Sequence, residues 1–139
     1  MPNFSKKFGD VKSIIISSLL FTLGYALNPG IQILPIINLF LDSMIFSMIY
    51  HYTGNLFIVG LGHGLWNFSQ GYIFGAEVSE NVITSSLLKS IPTPGKELIS
   101  GGIFGFEGGL VTTILEIIII LIFAKLSSKE NNVNIKEIR

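Results

Sequence analysis

Cysteine is absent from this chain and charge is scarce. Without a thiol there is no disulfide framework, no thiolate metal site and no cysteine nucleophile, and the redox compartment stays open. Charged residues make up 13% of the 139 positions, against about 25% in a soluble domain. Lys plus Arg number 9, as do Asp plus Glu, so the formal net charge is zero. No electrostatic case for nucleic acid exists. The two histidines, His51 and His63, stand too far apart for the short His-His-Glu spacing of a helical zinc motif.

Apolar residues are abundant, at 49% of the chain with a mean hydropathy of +0.63. Four apolar stretches appear, near residues 11–27, 31–50, 56–74 and 110–123. The first is roughly 17 residues, near the lower limit for a span, and Asn28-Pro29-Gly30 ends it because proline cannot extend a helix. No small-residue cleavage site follows, so this stretch is read as retained rather than as a signal peptide. His51-Tyr52-Thr53-Gly54-Asn55 is the turn between the second and third stretches. Residues 76–101 mix Glu77, Glu80, Lys89, Lys96 and Glu97 with Ser, Thr, Asn, Pro92 and Pro94. That composition predicts a connection, with one short amphipathic turn or helix over 83–91. The expected fold is all-α, a polytopic bundle of about four membrane-spanning helices in contact with lipid. A polar tail, residues 127–139, should lie outside the bundle without regular structure.

Basic residues cluster at the two ends, with Lys6, Lys7 and Lys12 before or at the first stretch and Lys125, Lys129, Lys136 and Arg139 in the tail. An even number of spans puts both termini on one side, and the positive-inside rule makes that side cytoplasmic.

His63 and Asn67 stand four residues apart within the third stretch, so a helix presents both on one face. Polar groups at bilayer depth are expensive and mark candidate sites. The bland alternative for each is a hydrogen bond between helices. Asp42 and Glu116 are further intramembrane acids. They read as neutral or hydrogen-bonded carboxyls between helices, with Asp42 also open to a role as a substitute base. Glu107 sits among glycines, where a carboxylate would pin a turn or cap a helix start. Trp66 reads as a packing or interfacial anchor.

Three segments carry a family resemblance. His63-Gly64-Leu65-Trp66-Asn67-Phe68 fits an HxxxN motif, and Gln70-Gly71-Tyr72-Ile73-Phe74-Gly75 is a common continuation of it. Gly101-Gly102-Ile103-Phe104-Gly105-Phe106-Glu107-Gly108-Gly109 is similar to a GGxFGxEGG segment. Through them, residues 11–126 resemble the C-terminal part of the CPBP (Abi) family, the CAAX-protease and bacteriocin-processing intramembrane peptidases. The resemblance implies a partial protease domain over 1–126, with peptide or prenylated-protein substrates at a bacterial plasma membrane. It also implies three polar clusters: a Glu-Glu pair with a downstream arginine (EExxxR), a histidine in FxxxH, and HxxxN. A glutamate would activate water, while histidine and asparagine position it or stabilise the oxyanion. A divalent metal such as zinc, with His63 as a ligand, is the other form of that chemistry.

The chain departs from this pattern in two places. It contains no Glu-Glu pair, and in Phe21-Thr22-Leu23-Gly24-Tyr25 a tyrosine occupies the histidine position. Tyr25 donates a hydrogen bond but is a poor base near neutral pH. The expectation is an N-terminally truncated endopeptidase polypeptide, inactive alone. The alternative is a non-catalytic membrane pseudo-protease that binds peptide or confers bacteriocin immunity. A third class is a small transporter, assembled as an oligomer, that uses Asp42, His63 and Glu116 as a proton path.

Overall fold

The computed structural model describes the backbone of residues 2–25, 31–78 and 85–137, and the side chains of 5–25, 31–78 and 85–127. The Asn28-Pro29-Gly30 break and residues 79–84 lie outside the described residues. Helix α1 (Pro2–Phe8) meets α2 (Asp10–Tyr25) at Gly9, whose φ of 79° breaks the helical path. Helix α3 spans Ile33–Thr53 and α4 spans Leu56–Phe68, and a π-helical turn, Ser69–Ile73, prolongs α4. After an irregular connection come a short α5 (Glu97–Ser100), a 3-10 segment (Gly102–Gly108) and the long α6 (Leu110–Glu137). The described residues form an all-helical bundle, as the apolar periodicity required.

The turn between α3 and α4 follows from three residues. Gly54 takes the left-handed conformation (φ 63°) and donates its N–H to Tyr50 O at 2.8 Å, closing α3. Asn55 Oδ1 then accepts Phe57 N–H at 2.9 Å, capping α4. Thr53 Oγ1 accepts the Asn55 N–H at 3.2 Å between them. Helices α3 and α4 therefore run antiparallel, and Phe46 of α3 meets His63 of α4 across them, ring centroids 5.1 Å apart.

Helix α3 is the hub. Helix α2 lies antiparallel on one flank: His51 Nε2 is 3.6 Å from Asp10 Oδ2 at one end, and Ser17 and Ser18 meet Ser47 at 3.2 and 3.5 Å further along. Helix α6 runs parallel to α3, because its first residues, Gly109 and Thr113, bond Asn38 near the start of α3. The start of α2 and the far end of α6 consequently lie at the same end of the bundle.

Polarity is distributed inside out. Buried polar residues include Ser13, Ser18, Thr22, Asn38, Ser43, Gln70 and Glu116, whereas among the described residues the buried hydrophobic core is Ile14, Ile45, Ala76 and Phe104. Exposed positions carry Leu19, Leu20, Leu23, Ile114, Leu115, Ile118, Leu121 and Ile122. In water such surface would drive aggregation. In lipid it is the expected outer face, with small and polar residues holding the helices together. Among the described residues two helical stretches are long and apolar enough to cross a bilayer, Ile33–Thr53 with mean hydropathy 1.8 and Gly102–Ser127 with 2.3. This is a membrane protein. Helices α2 and α4 fall where the first and third apolar stretches do, but their 16 and 13 residues are short for a hydrocarbon core of about 30 Å.

Of the turn or helix expected over 83–91, residues 85–91 show no helix, and residues 83 and 84 lie outside the described residues. This segment lies against the end of α4, where Leu87 N–H bonds Tyr72 O, Leu88 N–H bonds Ile73 O, each at 2.9 Å, and Ser90 Oγ bonds Phe74 O at 2.8 Å. The carbonyls that a helix end leaves open outcompete a local helix for these donors. The tail is not irregular either, because α6 continues to Glu137. Residues 125–137 contain neither Pro nor Gly, and extending an existing helix requires no new nucleus.

Candidate functional site

Helix α4 carries His63 and Asn67 on one face, as their spacing predicts. Asn67 Nδ2 lies 3.1 Å from His63 Nε2. An amide nitrogen only donates, so Nε2 is the acceptor, and a neutral ring then carries its proton on Nδ1. The ring is held edge-on by Phe46 at an interplanar angle of 75°. Asn67 Oδ1 is buried with no partner among the described residues. The pair thus presents one committed nitrogen, one N–H donor at Nδ1 and one unused amide oxygen. One donor beside one acceptor can hold a water, and of the two only the Nδ1–H can donate to an oxyanion.

A π-helical turn follows immediately, Ser69–Ile73. Such turns recur at functional sites, and this one rotates Gln70 fully into the protein (1% exposed). Gln70 Nε2 donates to Glu77 O at 2.6 Å, and its Oε1 is unpartnered among the described residues. Gly105 packs over this amide. Its φ of 65° and ψ of −152° suit only glycine, and a Cβ there would stand 3.0 Å from Gln70 Nε2 and collide with the Glu77 carbonyl. The two motif segments that the sequence separates by 25 residues and more are therefore in direct contact. Phe74 and Phe106 add a ring contact at 6.1 Å.

Glu107 bonds to two other helices. Its carboxylate Oε1 accepts the Trp66 indole N–H at 3.0 Å, and its carbonyl accepts Asn38 Nδ2 at 2.6 Å. Trp66, expected as an anchor, is therefore a hydrogen-bond donor to the glycine-rich segment. Glu116 is buried, with Oε2 unpartnered among the described residues. Asp42 lies within electrostatic reach of Glu107, and Glu116 within that of both.

Tyr25 closes α2, half-buried, with its ring 5.0 Å from that of Phe21. Helix α3 lies between α2 and α4, and no hydrogen bond joins Tyr25 or Asp42 to His63 or Asn67 among the described residues. The cluster brought together is His63 with Asn67. A groove of about 660 Å³ lies elsewhere, lined by Gly75, Glu77, Leu88, Ser90, Gly102 and Phe106 among others.

The donor set does not fit the divalent metal that the resemblance implies. His63 Nε2 is engaged by Asn67, and among the described residues no group of three His, Cys, Asp or Glu could hold an ion. A structural zinc site takes four such ligands and a catalytic one three.

Asn38 escaped the sequence reading although its signal was present. It stands four residues before Asp42 in an apolar helix, the same spacing that marked His63 and Asn67. It is 1% exposed, and both ends of its amide are bonded.

Comparison with known proteins bears on the same segment. Residues 1–69 match the family model of type II CAAX prenyl endopeptidases, Rce1-like, a stretch that includes Tyr25, His63 and Asn67 and stops short of the glycine-rich segment. No curated protein and no solved structure matches the chain. Over these 69 residues the chain resembles the Rce1-like type II CAAX prenyl endopeptidases, which is consistent with a partial likeness to the CPBP family.

Proposed function

We propose that this polypeptide is the part of a CPBP-type intramembrane endopeptidase that carries the HxxxN cluster, and that it lacks peptidase activity by itself. The family match across His63 and Asn67, joined to their hydrogen bond, is the observation that carries this reading. Peptide hydrolysis requires a base to activate water and donors at the developing oxyanion. His63 Nδ1–H supplies a donor, and the Asn67 amide oxygen can accept from the water. The base would come from a Glu-Glu segment, which this sequence does not contain, and Tyr25 cannot replace the second histidine as a base. In this reading α2, α3, α4 with its π turn, and α6 all cross the membrane, with both ends of the bundle's chain on the cytoplasmic side.

A second reading is a non-catalytic membrane protein that holds a peptide, or confers immunity to one, at the His63–Asn67 cluster. Tyr25 and the engaged Nε2 of His63 favour it.

One experiment separates the two. The chain is fused behind a helix bearing EExxxR, given Tyr25→His, reconstituted in lipid vesicles and offered a farnesylated CAAX peptide. Cleavage that His63→Ala abolishes is the expected outcome. Binding of the peptide by the unaltered chain, with no cleavage after complementation, would establish the second reading instead.

A further inference from the structure

Helix α4 presents the candidate pair yet buries none of its own residues from Leu56 to Phe68, and its interhelical packing is against α3. A helix held along one seam is free to roll unless something else fixes its rotation. The Phe46–His63 ring contact is a soft restraint. The firm one is Trp66 Nε1 donating to Glu107 Oε1 at 3.0 Å, from a residue three positions after His63 and one before Asn67.

The backbone behind the acceptor is fastened by hydrogen bonds. The Glu107 carbonyl accepts Asn38 Nδ2 at 2.6 Å, and the same nitrogen donates to Gly109 O at 3.0 Å. Thr113 Oγ1 in turn donates to Asn38 Oδ1 at 2.6 Å. Phe106 O accepts Thr112 Oγ1, which ties the residue before Glu107 to the start of α6. Glu107 thus belongs to a loop fastened to α3 and α6, and it reaches out to α4. The Trp66–Glu107 bond therefore ties α4 to a segment that is itself fastened to α3 and α6. Beyond Phe68 the π turn is held by Gln70 and Gly105, and within α4 it is the Trp66–Glu107 bond that links the turn carrying His63 and Asn67 to this segment.

We propose that Glu107 is a positioning residue for the His63–Asn67 pair, acting through the Trp66 indole. The value of that positioning rests on the reading of the pair as the remaining cluster of a peptidase. The clamp itself is measured without any peptidase activity.

The chain suits nuclear magnetic resonance, having one tryptophan and two histidines. The full chain is isotopically labelled in lipid nanodiscs, and His51 and His63 are assigned with His51→Gln. In Glu107→Leu the indole N–H resonance leaves its hydrogen-bonded position and the His63 ring signals shift, while His51, at the other end of α3, keeps its own. Trp66→Phe, which retains the ring and loses the donor, moves His63 in the same way. Glu107→Gln retains an acceptor oxygen and restores the His63 signals. The proposal is overturned if His63 is unmoved in Glu107→Leu and Trp66→Phe, if both histidines move together, or if Glu107→Gln behaves like Glu107→Leu. A complemented chain that cleaves nothing while this pattern holds would sink the peptidase reading and leave the clamp standing.

Discussion

Asn38 Oδ1 accepts the Thr113 hydroxyl at 2.6 Å while the same side chain's Nδ2 bonds two carbonyls of the glycine-rich segment. One amide therefore joins α3, the loop and α6. Asn38→Leu keeps the volume and strips all three bonds. Leaving buried polar groups unsatisfied costs about 1–3 kcal/mol, so the variant should unfold at lower SDS mole fraction in mixed micelles. Asn38→Asp retains the acceptor for Thr113 but loses both donations, and should not restore the parent midpoint. Parental stability in Asn38→Leu would refute the hub.

Glycine has opposite meanings at two places. Gly105→Ala forces a side chain into a backbone conformation only glycine adopts and into the Glu77 carbonyl, an expected loss of about 1–3 kcal/mol. A Cβ on Gly64 meets nothing within 4 Å, so Gly64→Ala should be neutral or gain up to about 1 kcal/mol from helix propensity. The same unfolding titration measures both, and equal losses would mean that the α4 glycines serve a contact outside this chain.

The α2–α3 seam is small and polar. Ser18 is wholly buried against Ser47. Ser18→Leu overpacks it, at a cost of about 1–3 kcal/mol. Ser47→Ala removes only weak hydrogen bonds, each worth about 0.6 kcal/mol in a membrane bundle. A larger loss in Ser47→Ala than in Ser18→Leu would place the seam's stability in hydrogen bonding rather than close approach.

Zinc should not bind at His63. Titration calorimetry of the chain in detergent with zinc chloride is expected to show no saturable heat that His63→Ala removes, because one imidazole with its Nε2 engaged is too few ligands. Stoichiometric binding lost in His63→Ala would restore the metal form of the chemistry.

Outside the membrane, Glu97 bends back on its own turn. Its Oε1 accepts Gly95 N–H at 2.9 Å, and hydrogen bonds from its own backbone N–H and that of Gly95 hold its carboxyl below the ordinary 4.5. A depressed carboxyl pKa contributes stability above the unfolded value that is lost as pH falls through the folded one. Protection of the Gly95 amide, its exchange rate divided into the intrinsic rate at each pH, should therefore fall on acidification below 4.5. In Glu97→Gln that pH dependence should vanish, and an unchanged profile would count against the turn.

The helices were legible because lipid imposes a simple demand. Runs of apolar residues interrupted at Gly54-Asn55 and near residues 76–101 can satisfy their backbone in a bilayer only as helices, and α3, α4 and the start of α6 fall where those runs do. The same-face pair His63 and Asn67 followed from a period of 3.6 residues. The 85–91 segment and the tail were misread because their outcome depends on partners. In the first case these are open carbonyls at the end of α4, in the second a helix already formed.

By itself, then, the sequence determined that this is a helical membrane protein whose third apolar stretch offers an imidazole and an amide on one face, and that it holds no Glu-Glu pair. Tertiary structure alone decided what those groups can do. It tied Asn67 to His63 Nε2, kept Tyr25 and Asp42 out of hydrogen-bonding contact with the pair, and joined Trp66 to Glu107 and Gln70 to the backbone under Gly105. The reason is range. Periodicity along a helix is local, whereas the partner of a buried polar group is set by which distant segment the packing delivers to within about 3 Å.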